Sequence, residues 1–296
     1  MPILKQEAIK IAYETFGDPK DPCIVFVMGI GGQLIQWAVD FLQKIADQKF
    51  YVLCFDNRDV GLSSYYDHLP TPQLMDVIAL MQQGQSITVP YTLSDMALDI
   101  KKLLDGLNIK KAHLFGVSMG GMIAQVFCSE YPDRVLSLTC MITTSSDPHL
   151  SPPKPEVLNW FFAPSPKVED AGAYVDRYMQ IYKIYNPVLS AQEEQEASKM
   201  AEQSYLRAYH PEGGQRQMLA IMAARPRGES LKKLKIPSLI IQGALDPFVG
   251  PDHGQYLSEC LLGSRLEIIK NMGHGLPRSV QPKLINLLAG FLKDLS

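Results

Sequence analysis

Ala112-His113-Leu114-Phe115-Gly116-Val117-Ser118-Met119-Gly120-Gly121-Met122 is the stretch whose reading decides the fold. An apolar run ends in a serine set between glycines, and a helical pattern begins at once. A serine held in so sharp a strand-to-helix turn sits in a strained backbone conformation. Side chains two residues before and after it would collide, and Gly116 and Gly120 stand at those positions. The turn also places Ser118 at a helix N-terminus, where free backbone N–H groups stabilise negative charge.

Working outward toward the N-terminus, residues 9–16 alternate apolar and polar, as a half-exposed strand does, and a short strand near Ile3 precedes them. Residues 23–28 and 50–55 are continuous apolar runs, which fit strands buried on both faces. Helices are expected over 36–48 and from a cap at Thr92 or Ser94 to Leu107, the latter with Met96, Ile100, Leu103 and Leu104 on one face. Residues 64–91 are long for a connection, carry Pro70, Pro72 and Pro90, and predict one short helix over 74–81. Such a segment serves either as a lid or binding loop or as a plain surface excursion.

Toward the C-terminus, the helix after Ser118 extends to about Tyr131 and a strand covers 135–142. Prolines then cluster at Pro148, Pro152, Pro153 and Pro155, and only helical patterns follow, over 157–162, 168–185, 191–209 and 215–224. Strands return at 237–242 and 265–269, with helices over 249–262 and 280–295. Strands alternating with helices predict an α/β fold, a mostly parallel sheet with helices on both faces. Its core comprises 1–142 and 228–296, and a helical cap, 143–227, is inserted after the sixth strand.

The 296 residues, 46% of them hydrophobic and 20% charged, suffice for a large buried core. A formal net charge of −3 gives no basic face for nucleic acid or anionic lipid, so neither is an expected partner. Five cysteines, odd in number and mostly inside apolar runs, read as core residues in a reducing compartment. The first sixteen residues lack the basic start and apolar run of a signal peptide, and the longest apolar stretch is too short to span a membrane. A cytoplasmic location is the expectation, with a homodimer left open.

A parallel sheet of this kind places its site at the carboxyl ends of the strands. A serine hydroxyl is a poor nucleophile and needs a base, and the base needs an orienting carboxylate. Histidine suits the base, because its ordinary pKa near 6.5 lets it take and return a proton around neutrality. Of six histidines, His274 lies in the glycine-rich loop after the last strand, in Asn271-Met272-Gly273-His274-Gly275. His113 lies low in the strand before Ser118, and His68, His149 and His210 fall in the long loop or the insertion. His253 opens a helix. Asp246, in Gly243-Ala244-Leu245-Asp246-Pro247, follows a strand and is the expected acid. Asp147, beside Pro148, is the competitor and reads as a turn residue. An oxyanion needs two preorganised donors: Met119 N–H, directly after the nucleophile, and Ile30 N–H in Gly29-Ile30-Gly31-Gly32, with Gly31 as the fallback. No metal or organic cofactor is implied.

With these stretches in view, the chain resembles the α/β-hydrolase fold superfamily of serine hydrolases, and most of all the branch containing aclacinomycin methylesterase. The matching stretches are Phe16-Gly17-Asp18-Pro19, Val27-Met28-Gly29, Asp56-Asn57-Arg58-Asp59-x-Gly61-x-Ser63, Gly116-Val117-Ser118-Met119-Gly120 and Gly273-His274-x-Leu276-Pro277. The order Ser118, Asp246, His274 is the one that fold uses. The resemblance implies a catalytic serine, acid and base at those three positions, a helical cap, and a small-molecule ester as substrate. Met28 stands where many relatives have histidine, which leaves the backbone donors intact but means that their substrate preference does not carry over by resemblance. The Asp56–Ser63 motif reads as structural, with Arg58 bracing the loop near the site.

Proline iminopeptidases share the fold and use cap carboxylates, for which Glu193, Glu194, Glu196 and Glu202 are the candidates. A glutamate-rich amphipathic helix is more often a solvated face. Lactonase, perhydrolase and non-catalytic ligand-binding readings stand beside the esterase. Tyr174, Tyr178, Tyr182, Tyr185, Tyr205 and Tyr209, with Met179, Met200, Met218 and Met222, either form the core of the cap or line an apolar pocket.

Overall fold

In the computed structural model, residues 1–6, 9–162 and 168–295 are described. Glu7, Ala8 and Ser296 of the expected core, and 163–167 of the expected cap, lie outside them. The chain runs β1 (Ile3–Gln6), β2 (Ile9–Phe16), β3 (Cys23–Val27), α1 (Val39–Ala46), β4 (Tyr51–Phe55), α2 (Leu74–Gln82), α3 (Leu93–Gly106), β5 (Ala112–Val117), α4 (Met119–Glu130) and β6 (Val135–Met141). Helices α5 (Pro155–Phe162), α6 (Ala171–Tyr185), α7 (Ala191–Ala208), α8 (Pro211–Met222) and α9 (Gly228–Leu231) follow. The chain then returns through β7 (Ser238–Gly243), α10 (Pro251–Cys260), β8 (Arg265–Ile269) and α11 (Gln281–Lys293).

The eight strands form one sheet in the order β1-β2-β4-β3-β5-β6-β7-β8. Only β2 runs against its neighbours; β3 to β8 pair in parallel. Every residue of β3, β5 and β7 is buried, as continuous apolar runs in a sheet covered on both faces should be. Alternate residues feed two cores. Along β3, Cys23, Val25 and Val27 face the helices α3, α4 and α10, while Ile24 and Phe26 face α1 and α11. Each core thus takes one side of the pleat and one set of apolar helix stripes.

Local chemistry sets the helix starts. Thr92 rather than Ser94 caps α3, in a capping box with Asp95: Thr92 N–H donates to Asp95 Oδ2 (2.8 Å) and Asp95 N–H to Thr92 Oγ1 (3.3 Å). Helix α6 starts at Ala171, three residues after the expected 168, because Asp170 accepts from Ala173 N–H. A 3₁₀ turn at Leu34–Gln36 delays α1 to Val39. Helix α8 begins four residues earlier than its pattern suggests, at Pro211. A Cβ on Gly213 would lie 2.0 Å from Asp59 O, so the glycine lets the first turn of α8 press against the core loop. Among the described residues no helix is long and apolar enough to cross a membrane, and the five cysteines are free and buried.

Candidate active site

Ser118 sits at the end of β5 with φ 53° and ψ −121°, a conformation rare for a residue bearing a Cβ. The turn closes because Gly116 and Gly120 have no side chains. A Cβ on Gly116 would lie 2.3 Å from Gly120 O, and one on Gly120 would lie 2.0 Å from Val27 O on the neighbouring strand. The Ser118 backbone is fully engaged: its N–H donates to Met141 O (3.0 Å), and its carbonyl accepts from Gly121 N–H (2.9 Å) and Thr143 Oγ1 (2.6 Å). Only the hydroxyl is left for chemistry.

That hydroxyl lies 3.0 Å from His274 Nε2, and His274 Nδ1 lies 2.8 Å from Asp246 Oδ2. An ionised carboxylate only accepts, so Nδ1 carries a proton and, in the neutral ring, Nε2 accepts from the serine. Asp246 is aimed by its own turn after β7, where Oδ1 accepts from Phe248 N–H (2.9 Å) and Val249 N–H (2.8 Å). His274 is held from above. Its backbone N–H donates to Tyr185 O at the end of α6 (2.7 Å), and its ring meets Tyr185 and Phe248 edge-on at 5.3 and 5.1 Å between centroids. An imidazole so placed can take the serine proton and return it, leaving the oxygen free to attack a carbonyl carbon.

The other histidines have other partners. His113 Nδ1 lies 2.8 Å from Ser137 Oγ, His210 stacks on Tyr65 at 3.9 Å, and His253 Nε2 lies 2.9 Å from Ser151 O. Asp147 opens a turn, its carbonyl accepting from Leu150 N–H (3.2 Å), and its carboxylate accepts from Gly228 N–H (3.0 Å) and Tyr256 OH (3.4 Å), closing the base of the helical segment.

A cavity of about 280 Å³ opens over Ser118 and His274. Ile30, Tyr178, Tyr182, Tyr185, Met200 and Phe248 give it a mainly apolar wall. The large side chains of the helical segment therefore divide: Tyr174, Tyr205 and Tyr209 pack on one another at 4.9–5.5 Å behind the wall, with Tyr174 stacked on the wall residue Tyr178. None of the described lining residues comes from 64–91. That segment is tied down instead, with Tyr66 beneath the Arg58 guanidinium (4.8 Å) and Asp67 bonded to Arg216 (2.6 Å).

The glutamates of α7 also divide. Glu194 pairs with Lys183 at the surface and Glu202 is exposed, but Glu193 and Glu196 line the cavity. Burial opposes a charge on Glu193. Hydrogen bonds from Ser190 N–H (2.9 Å), Ser279 N–H (2.9 Å) and Ser190 Oγ (2.8 Å) outweigh it and hold the carboxyl down at about 2. Its bonds bind the start of α7 to the loop after His274. The spacing of Ser190 and Glu193 is a capping-box signal, and that could have been read.

The motif at 56–59 is a junction whose four members each hold a different part. Asp56 accepts from Leu34 N–H (2.7 Å) and Arg207 (2.7 Å), and Asn57 Nδ2 donates to Met28 O (2.9 Å). Arg58 makes two bonds to the buried Asp99 of α3 (2.6 and 2.8 Å), and Asp59 takes two from Arg216 of α8 (2.8 and 2.9 Å). Burial alone would raise the Asp59 carboxyl; the Arg216 bonds and the Tyr66 N–H hold it below the ordinary carboxylate range. Asp59, Asp67 and His210 are close enough together to share a cation, but the Arg216 guanidinium fills that position, 2.9 Å from His210 Nε2. The loop Gly29-Ile30-Gly31-Gly32 lies over Ser118. Gly31 N–H donates to Gln217 Oε1 (2.8 Å), so the fallback donor is already taken, and Ile30 faces the cavity. Sequence reasoning missed Arg207, Arg216 and Gln217, which carry no motif of their own.

A family model described as the alpha/beta hydrolase fold matches residues 22–277. Rhodomycin D methylesterase from a Streptomyces species is 24% identical over 303 residues, covering 95% of this chain and 94% of that one. The 3-oxoadipate enol-lactonase 2 of Acinetobacter baylyi is 25% identical over 284 residues, 90% of this chain and 87% of its own. The crystal structure of the enol-lactonase from Burkholderia xenovorans superposes with a TM-score of 0.74 at 19% identity, over 99% of this chain and all of the other.

Proposed function

The chain belongs to the alpha/beta hydrolase fold family, and from that premise we propose that it hydrolyses a carboxylic ester by acyl transfer. The observation that carries the proposal is the continuous hydrogen-bond line Asp246–His274–Ser118, ending on a strained serine at a helix N-terminus. Ser118 Oγ attacks the ester carbonyl as His274 Nε2 takes its proton. Asp246 fixes the tautomer and stabilises the imidazolium. The oxyanion lies against Ile30 and Met119 N–H. His274 then returns the proton to the leaving alkoxide, and water, activated by the same ring, releases the acid.

The methylesterase likeness supports an ester with a small alcohol part. A cavity of about 280 Å³ walled by tyrosines suits an acyl part of small to moderate bulk with a flat apolar face. The helical segment acts as the cap, since α6 brings Tyr178 and Tyr182 and α7 brings Met200 over the serine. Five buried free thiols support a reducing compartment such as the cytoplasm.

The test is an ester panel that varies acyl length and alcohol group and includes methyl esters of aromatic acids and a small lactone, run on the wild type and on Ser118→Ala. Loss of about 10³-fold or more in kcat for Ser118→Ala, with the protein still folded, is expected. Turnover by Ser118→Ala near the wild-type rate would overturn the mechanism, and lactone turnover far above that of any open ester would move the reading to the lactonase.

A further inference from the structure

The strip of backbone over Ser118 is shaped by a side chain from the helical cap. Gly32 N–H donates to Gly29 O (3.2 Å), closing a β-turn with Ile30 and Gly31 at its centre. Gly31 has φ 65° and Ile30 does not have positive φ, which is the type II pattern with glycine at the third position. In such a turn the central Ile30–Gly31 peptide can flip, exchanging the faces that Gly31 N–H and the Ile30 carbonyl present and loosening the Gly29–Ile30 peptide that adjoins it. One contact decides that face: Gly31 N–H donates to Gln217 Oε1 (2.8 Å).

The same amide donates from Nε2 to Arg58 O (2.8 Å). Gln217 is fully buried in α8, and both its partners are backbone groups. An amide sets an acceptor oxygen and a donor nitrogen side by side on a single planar end, and here each is bonded to backbone; a carboxylate lacks the donor and an aliphatic side chain lacks both. On the other side, Asn57 Nδ2 donates to Met28 O (2.9 Å). The peptide that carries Ile30 N–H thus lies between two anchors, Asn57 before it and Gln217 after it.

We propose that Gln217 is a positioning residue that, by pinning the Ile30–Gly31 peptide next to it, keeps the Gly29–Ile30 peptide from shifting and so holds Ile30 N–H on the oxyanion, with the cap thereby setting the geometry of the oxyanion site. This rests on the reading of Ile30 as an oxyanion donor for ester hydrolysis. An oxyanion donor acts only on the transition state, so loosening it lowers kcat and leaves KM nearly unchanged.

The test uses the full chain and the variants Gln217→Leu, Gln217→Met and Gln217→Glu, with kcat and KM on a short ester, thermal midpoints, and the affinity of phenylboronic acid, which forms a tetrahedral adduct on serine. The expected result is a loss of about ten- to a hundredfold in kcat for the Leu and Met variants, with KM within about twofold and boronate affinity falling in step. Gln217→Glu keeps the acceptor for Gly31 N–H and should recover part of the loss. A folded Leu or Met variant with wild-type kcat and wild-type boronate affinity overturns the proposal, as does a loss that appears in KM alone. If one of the two does not fold, the other decides. A wild type without ester turnover would instead strike the functional reading, and an inactive Ser118→Ala beside an unaffected Gln217→Leu would strike the positioning role alone.

Discussion

Ser118 and the loop that crosses it are near neighbours, since a Cβ built on Gly29 would lie 3.3 Å from Ser118 Cβ, yet they are held by opposite means. The serine turn is made by its own strand and helix: backbone hydrogen bonds to Met141, Gly121 and Thr143, and glycines where a side chain would strike Gly120 O or Val27 O. The loop is made by side chains from far along the chain. Gln217, Asn57 and Asp56 hold its ends, and Arg207 and Arg216 hold Asp56 and Asp59 in turn. One half of the site is therefore shaped by close packing of backbone and the other by buried polar and charged bonds. Damage to each half should look different.

The largest effect on rate is expected on the side of the serine turn, at the carboxylate that aims the histidine bonded to Ser118. Asp246→Asn keeps an acceptor for Phe248 and Val249 N–H but presents a neutral amide to His274, favouring the wrong tautomer. A fall of about 10⁴-fold in kcat is expected from the corresponding change in a serine triad, with the thermal midpoint close to wild type. Steady-state kinetics with a thermal melt check it. A large loss of stability with little loss of rate would show that Asp246 works in the frame and would erase the contrast between the halves.

At the second half, stability should fall first. Arg216→Ala removes the permanent cation from Asp59, whose side chain is wholly buried, leaving only the His210 ring 3.8 Å away, and removing one partner of such a pair costs about 3–5 kcal/mol. Urea unfolding of the variant against the wild type measures this. Where the variant stays folded, the ester rate should fall by less than in Asp246→Asn, because Ser118, His274 and Asp246 are untouched. A neutral result in urea would mean that water reaches Asp59 once Arg216 is gone and that the junction is not what fixes α8.

The same division explains what could be read from the residues alone. The strands, the order Ser118, Asp246, His274 and the glycines of the turn follow from runs, spacings and steric limits that act within a few residues, so they were legible. The Asp56–Ser63 motif reads as structural from its residues, but its partners do not, because Arg207 and Arg216 meet it only through the fold, 151 and 157 residues away. Glu193 read as one of a solvated row; the bond from Ser279 N–H that buries it comes from 86 residues further on. Residues 64–91 looked able to shape the substrate site, yet no described lining residue belongs to them, since Asp67 and Tyr66 are drawn to the junction instead.

Acid should separate the two halves by the pH at which each yields. His113, in the strand leading to Ser118, is buried against Phe50 and Ser137, and burial pushes its pKa down to about 4. The unfolded chain binds that proton near the ordinary histidine value of about 6.5, so between those two pH values the unfolded state holds more protons and stability must fall as pH falls. The contribution is complete above about 6.5, shrinks through the window and is gone below about 4, and its full size is about 3 kcal/mol. Asp59, held below the ordinary carboxylate range, yields only in stronger acid. Urea midpoints at steps from pH 7 to 4 for the wild type and for His113→Asn test this: the wild-type slope should largely vanish in the variant. If it persists unchanged, the acid sensitivity of this window does not arise at His113, and the strand before Ser118 is not the part of the site that yields first to acid.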